Sequence, residues 1–306
     1  MHLDVAIAWT DATWDPLAGC TRKSAACRHC YAEAMTAAAS QAGMWGHGFA
    51  ELGPAGPAWT GKIELLEDRL ALPLGWDRPS RIFVNAGSDL FHESLPNAAI
   101  DRVFAVMALA PHLTFQVLTK RPKTMLAYLL DSEALSRIER AMGEIATDPN
   151  LTKIDSWPLP NVWLGVTAEN QKEADRRIPL LLQTPAAVRW IAAEPLLEQL
   201  DLKVGTWLKE GPNAPGPKLD WIVAGGEIGA EALPCQPNWA RSLRDQCAES
   251  GAAFFWHQWG EHVPCAGVEA DPAPEPVKMT FSRVGAAPSP RLLDGALHQA
   301  FPFARS

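Results

Sequence analysis

The sequence predicts an α/β protein built as a (β/α) barrel, complete or partly open, with an extended C-terminal tail. Three observations predict it. Short runs rich in branched and aromatic residues alternate with amphipathic stretches along most of the 306 residues, the pattern of parallel strands joined by crossover helices. Hydrophobic residues make up 47% of the chain and charged residues 20%, a balance that supports a sizeable buried core. No GxGxxG follows the first candidate strand, which counts against a doubly wound dinucleotide-binding sheet, the alternative architecture.

In chain order the candidate strands are Asp4 to Trp9, Lys62 to Leu66, Arg81 to Asn85, Thr114 to Thr119, Asn161 to Thr167, Val188 to Ala193, Leu219 to Ala224 and Ala252 to His257. Between them Leu95 to Leu109, Lys123 to Glu144, Glu169 to Leu182 and Pro237 to Ser250 place apolar residues at three- and four-residue intervals, as amphipathic helices do. Pro96, Pro122 and Pro237 stand where a first helical turn tolerates a missing amide proton. Gly43 to Gly61 and Gly211 to Lys218 read as loops, and the proline-rich stretch from Pro264 to Pro290 as an extended segment. Residues 1–263 are therefore expected to form one barrel domain, with 264–306 a tail packed on it. Thirteen tryptophans against two tyrosines are expected to fill space between barrel and helices.

Lys plus Arg number 27 against 35 for Asp plus Glu, a net charge of -8. That balance excludes a polybasic surface gripping nucleic acid everywhere and leaves a local patch as the only route. No run of about 18 apolar residues occurs and the start lacks a signal-peptide pattern, so a cytoplasmic protein with no membrane partner is expected. Six cysteines in such a chain are too few for a disulfide scaffold. Three of them form the segment Cys20-x6-Cys27-x2-Cys30, while Cys235, Cys247 and Cys265 are scattered. Three grouped thiolates suit three corners of an iron–sulfur cluster and leave one iron open. A structural zinc with His29 or His47 as fourth ligand is the competing reading, and plain reduced thiols a third.

Barrel chemistry gathers at the carboxyl ends of strands, and the candidate strands here end in polar residues: Ser88, Asp89 and His92; Thr119, Lys120 and Arg121; Thr167, Glu169 and Asn170; Glu194; Gly225, Gly226 and Glu227; His257 and Gln258. Singly, such acids are as readily helix N-caps, and the glycine pair as readily a turn. Lys120 and Arg121 are candidates for a phosphate or carboxylate of the substrate, with a solvated helix start as the bland alternative.

Several stretches resemble a bacteriophage-associated family of three-cysteine-motif proteins of unresolved function, themselves similar to radical-SAM enzymes. They are TWDPLAGCTRKSAACRHC (Thr13 to Cys30) with Tyr31-Ala32-Glu33, SDLFHE from Ser88, LTKRP from Leu118, NVWLGVTAENQ from Asn161, EPLL from Glu194, WIVAGGE from Trp221, QWGE from Gln258 and LLDG from Leu292. The resemblance implies a [4Fe-4S] cluster on Cys20, Cys27 and Cys30 and S-adenosylmethionine (SAM) chelating the open iron. It further implies an electron donor and hydrogen abstraction from a nucleoside or nucleic-acid-linked substrate. Under it, Ser88 and Asp89 hold the SAM ammonium, Thr167 and Glu169 read the ribose hydroxyls, and Glu194, Gly225 and Gly226 lie near the same cofactor. Lys120, Glu227 and His257 are the catalytic candidates, and Arg121 and Gln258 face substrate. Two departures stand out: the first cysteine interval has six residues where radical-SAM enzymes usually have three, and His257 stands where related sequences often carry lysine. A non-catalytic zinc or iron–sulfur module that recruits a protein or nucleic acid is the alternative function.

Overall fold

The computed structural model describes residues 7–39, 44–146, 148, 150–208, 216–265, 280–284 and 289–302. Seven strands form one mixed α/β scaffold: β1 (Ala12–Trp14), β2 (Arg81–Val84), β3 (Thr114–Thr119), β4 (Val162–Thr167), β5 (Val188–Ala193), β6 (Trp221–Ala224) and β7 (Ala253–Trp256). They are hydrogen-bonded in chain order. The pairs β1–β2, β2–β3, β3–β4 and β6–β7 run parallel. An order without reversal is that of a singly wound sheet, compatible with a partly open barrel, and differs from the doubly wound order, which reverses at a switch point. The strands are apolar on both faces, as parallel strands covered by helices must be; every residue of β4 is buried.

Helices α1 (Tyr31–Ala37), α2 (Asn97–Leu109), α3 (Pro122–Leu130), α4 (Ala134–Ile145), α5 (Gln171–Gln183) and α6 (Pro237–Ser250) lie between strands. Pro122 and Pro237 open their helices, whereas Pro96 is the N-cap of α2. The single helix expected over Lys123 to Glu144 is two. Asp131 breaks it: its Oδ1 accepts from Glu133 N at 3.0 Å and its Oδ2 binds Arg137 at 2.8 Å, a side-chain turn that competes with the helical ladder.

The chain divides into two compact units, residues 7–167 with 177–190, and residues 168–176 with 191–302. In the first unit Gly165 lets the Trp190 ring lie on β4, since a Cβ there would sit 2.5 Å from the indole. Trp190 in turn meets Trp9, whose carbonyl accepts from Gln116 Nε2. These rings thus pack on one another as well as against the sheet. In the second unit the last described segment closes the free edge of β7: Gln299 bridges Phe255, and Ala300 N donates to Phe254 O at 3.1 Å. An exposed strand edge is a template for unwanted pairing, and this segment occupies it.

Several boundaries differ from the sequence reading. Residues 1–6 lie outside the described part of the expected first strand and Trp9 sits in a turn, so the sheet begins at Ala12. Residues 64–65 of the second candidate strand pair antiparallel with Leu17–Ala18, outside the main sheet. The expected loop after Gly43 contains a hairpin, Ala50–Gly53 with Gly56–Trp59, whose chemistry of small residues and a proline hid the strand pattern. In the tail, Leu292–Leu293 and Ala296–Leu297 form a second hairpin about Asp294-Gly295. Both turn residues have positive φ, 54° and 73°, the geometry for which Asp-Gly is suited. Residues 211–215 of the loop expected over Gly211 to Lys218, and most of the tail from 266, lie outside the described residues.

Candidate functional site

The cysteine segment follows β1 directly. Residues Ala25–His29 make a short 3-10 turn and Cys30 caps α1. Arg22 fixes this loop to its neighbours, donating to both oxygens of the buried Glu33 carboxylate and to Pro57 O of the hairpin, while Trp59 N adds a third bond to Glu33. Each cysteine sulfur receives a polar neighbour. Lys23 N lies 3.4 Å from Cys27 Sγ, Arg121 Nη1 3.8 Å from Cys20 Sγ, and the amides of Ala32 and Glu33 reach Cys30. Burial pushes the Cys20 thiol up to about 12, with the Asp89 charge adding to it, and burial raises Cys30 as well.

Asp89 and Arg121 organise the ends of β2 and β3. Asp89 Oδ1 accepts from Phe91 N and from Thr119 Oγ1 at 2.6 Å; Oδ2 accepts from Lys120 N and Arg121 Nη1. Arg121, 3% exposed, also gives Nε to Glu93 at 2.6 Å and Nη2 to the carbonyl and hydroxyl of Thr21. All three guanidinium nitrogens are engaged within the protein. Burial alone would lower the Arg121 pKa, but Asp89 and Cys20 outweigh it and raise it. Glu93, which also binds Lys23, is held at about 2: partial burial raises it and the bonds from Lys23 and Arg121 prevail. His92 Nδ1 accepts from Ser94 N, so its Nε2 donates to Thr21 Oγ1 at 2.8 Å; burial, then Arg121, lower its pKa. The Lys120 ammonium, in contrast, takes no hydrogen bond or ion pair among the described residues and lies in electrostatic range of Cys30. Ser88 Oγ donates to Leu17 O at 3.4 Å, and Thr167 is bound through its hydroxyl and carbonyl by Arg177.

The second unit holds its own polar group. His257 Nδ1 and Glu194 Oε1 are 2.6 Å apart, and Gly225 lies so close to Glu194 that a Cβ would meet Oε1 at 2.9 Å. Gly226 serves packing: a Cβ there would fall 1.9 Å from Trp259 O, and one on Gly260 would fall 2.1 Å from Glu227 O. Gly226 N donates to Gln258 O. Glu227 is buried and accepts from Leu233 N, and Glu169 is wholly buried, its carbonyl accepting from Leu197 N.

The sequence model of a family described as "Protein of unknown function (DUF5131)" matches residues 4–302. The chain belongs to the DUF5131 family. No curated protein and no solved structure matches it. No helix among the described residues of this DUF5131 protein is long and apolar enough to cross a membrane.

Among the described residues no three His, Cys, Asp or Glu side chains are grouped to hold a single metal ion. Three thiols on one loop are the donor type that either a zinc ion or an iron–sulfur cluster takes, and Lys23 N and Arg121 Nη1 lie against two of the sulfurs. In this DUF5131 protein, sequence reasoning missed Thr21, Arg22, Glu33 and Glu93 as parts of the site's frame. Arg22 and Glu33 flank the cysteines in sequence, but only the fold pairs Arg22 with Glu33 and Glu93 with Arg121.

Proposed function

We propose that the protein is an iron–sulfur enzyme of radical-SAM type acting on a nucleoside or nucleic-acid-linked substrate. The observation that carries the reading is the cysteine loop: Cys20, Cys27 and Cys30 follow the first strand, with Lys23 N 3.4 Å from Cys27 Sγ and Arg121 Nη1 3.8 Å from Cys20 Sγ. The resemblance to radical-SAM enzymes supplies the cofactor, and a [4Fe-4S] cluster with SAM would supply one-electron reductive cleavage of the sulfonium and hydrogen abstraction from an unactivated carbon.

The chain's own residues divide the remaining work. Arg121 fixes the loop through Thr21 and Cys20, so its role is positioning. With its donors taken, Lys120 is the group on that rim that can neutralise a phosphate or carboxylate. Asp89 likewise has both oxygens doubly engaged, and its part in holding the SAM ammonium would pass through Ser88 and the loop it shapes. In the second unit, His257 held by Glu194 is suited to move a proton, because a carboxylate on Nδ1 fixes the tautomer and makes Nε2 the basic nitrogen.

The test is anaerobic purification with iron, sulfide and zinc analysis, followed by reduction in the presence of SAM and assay for 5'-deoxyadenosine. About four irons per chain, as one [4Fe-4S] cluster requires, with release of the nucleoside support the reading. One zinc and no iron would eliminate it in favour of a recruiting module.

A further inference from the structure

Asn85 stands at the carboxyl tip of β2 with a backbone φ of 59°, in the left-handed region that glycine favours and asparagine tolerates. It is 3% exposed, and neither Oδ1 nor Nδ2 of its carboxamide has a hydrogen-bond partner. Its backbone is anchored, since Asn85 N donates to Trp14 O at 2.8 Å and Asn85 O accepts from Ser88 N. Two residues on, Gly87 N donates to Asp15 Oδ1 at 2.9 Å. Gly87 is pressed against the Trp45 indole so closely that a Cβ would lie 2.1 Å from Cη2. Trp45 Nε1 is buried and also without a partner. Three polar atoms on two side chains, at one strand tip beside the cysteine loop, are thus buried and unsatisfied.

Tolerance of the left-handed conformation alone does not explain Asn85. Glycine meets that demand at lower cost and buries no amide, whereas an orphaned buried amide is disfavoured unless something completes it. A buried amide with neither end satisfied is a mark of a site shaped for a ligand. A carboxamide presents one acceptor beside two donors in a plane, the complement of a base edge with a donor next to an acceptor, which is how asparagine reads adenine. We propose that Asn85 reads the edge of the substrate's nucleobase at the tip of β2, with the N–H of Trp45, whose ring packs on Gly87 from a separate segment, as a further donor. The inference rests on the reading of the substrate as nucleoside-like and names the group that selects it.

The test measures equilibrium binding of adenosine, cytidine, uridine and guanosine, and separately of SAM, to the anaerobically purified protein and to Asn85→Gly. Iron is assayed on the same samples. Because φ at 85 suits glycine, Asn85→Gly is expected to keep or raise the melting temperature, which separates recognition from folding. At least one nucleoside should bind the wild type and weaken roughly tenfold to a hundredfold in Asn85→Gly, with Trp45→Phe, which keeps a ring over Gly87 but loses the donor, weakening it less. Unchanged binding in Asn85→Gly, or no nucleoside binding at millimolar concentration, overturns the proposal, the latter being the result if ordered water alone completes the amide. Dependence on Asn85 for SAM and for no free nucleoside overturns it too, by assigning the edge to the cofactor. Nucleoside binding without iron would leave the base site standing and remove the radical chemistry; iron without nucleoside binding would do the reverse.

Discussion

Arg121 Nη1 and Asp89 Oδ2 meet at 2.9 Å with side chains only 1% and 6% exposed. The pair sits between the ends of β2 and β3, and from it bonds run to Thr21, Thr119 and Glu93. Breaking a buried pair leaves one charge without its partner, which typically costs about 3–5 kcal/mol. Arg121→Met is therefore expected to lower stability by that order in thermal or urea unfolding. Arg121→Lys should recover little of it, since a single ammonium cannot reach Asp89, Glu93 and Thr21 from three nitrogens. Full recovery by lysine would show that charge alone matters at this position.

Lys120 gives the opposite expectation one residue earlier. Its ammonium binds nothing among the described residues, so Lys120→Met should change stability by no more than about 0.5 kcal/mol. If Lys120 holds an anionic substrate group, the same variant should raise KM while leaving iron content and melting temperature unchanged. A stable variant with unaltered KM would remove the role.

Cys27 and Cys247 are both buried and differ only in company. Cys247 lies in α6, where burial raises its pKa and no charged neighbour contributes. Cys27→Ala should abolish iron binding in anaerobic preparations and Cys247→Ala should leave it intact. Equal loss from both would show that the grouped cysteines are not the ligands.

Asp294, in the turn of the Leu292–Leu297 hairpin, accepts from Arg241 at 2.7 Å and from Arg244 at 2.6 Å on α6. Hydrogen bonds from Arg241 lead the causes that hold its pKa below the usual 3.8, against partial burial. A carboxylate depressed in the folded state contributes stability above its unfolded pKa and loses it as pH falls through the folded value. The wild type should therefore lose an increment below about pH 4 that Asp294→Asn lacks already at pH 7. A third of the side chain is exposed, so the increment is at most about 1 kcal/mol. Parallel melting curves for the two proteins from pH 7 to pH 3 would refute it.

The strands from Arg81 onward were legible because both of their faces are apolar and their ends carry turn chemistry; Thr114–Thr119 and Val188–Ala193 coincide with the expectation to the residue. The first strand was not. Asp11 and Thr13 interrupt any apolar run in Asp11 to Trp14, and the strand's place in the sheet is set by pairing with Ile82 to Val84 rather than by its own pattern. At the rim, residue types pointed to the correct strand tips but not to their partners. Arg121 and Asp89 read as ligand groups, and the fold turns them toward each other. Gly225 and Gly226 read as a ligand cradle, and they make room for Glu194 and the Trp259 carbonyl. Asn85 gave no signal, since a positive φ and an unanswered amide exist only in three dimensions.

The meeting of Gly226 with Trp259 and of Gly260 with Glu227 is a joint with no hinge pin. Main chain rests on main chain from both directions, so no interchangeable side chain tunes the fit, and a methyl group on either strand end would wedge it apart. The two glycines consequently stand or fall together: a relative that has lost one should be found to have rerouted the segment carrying the other.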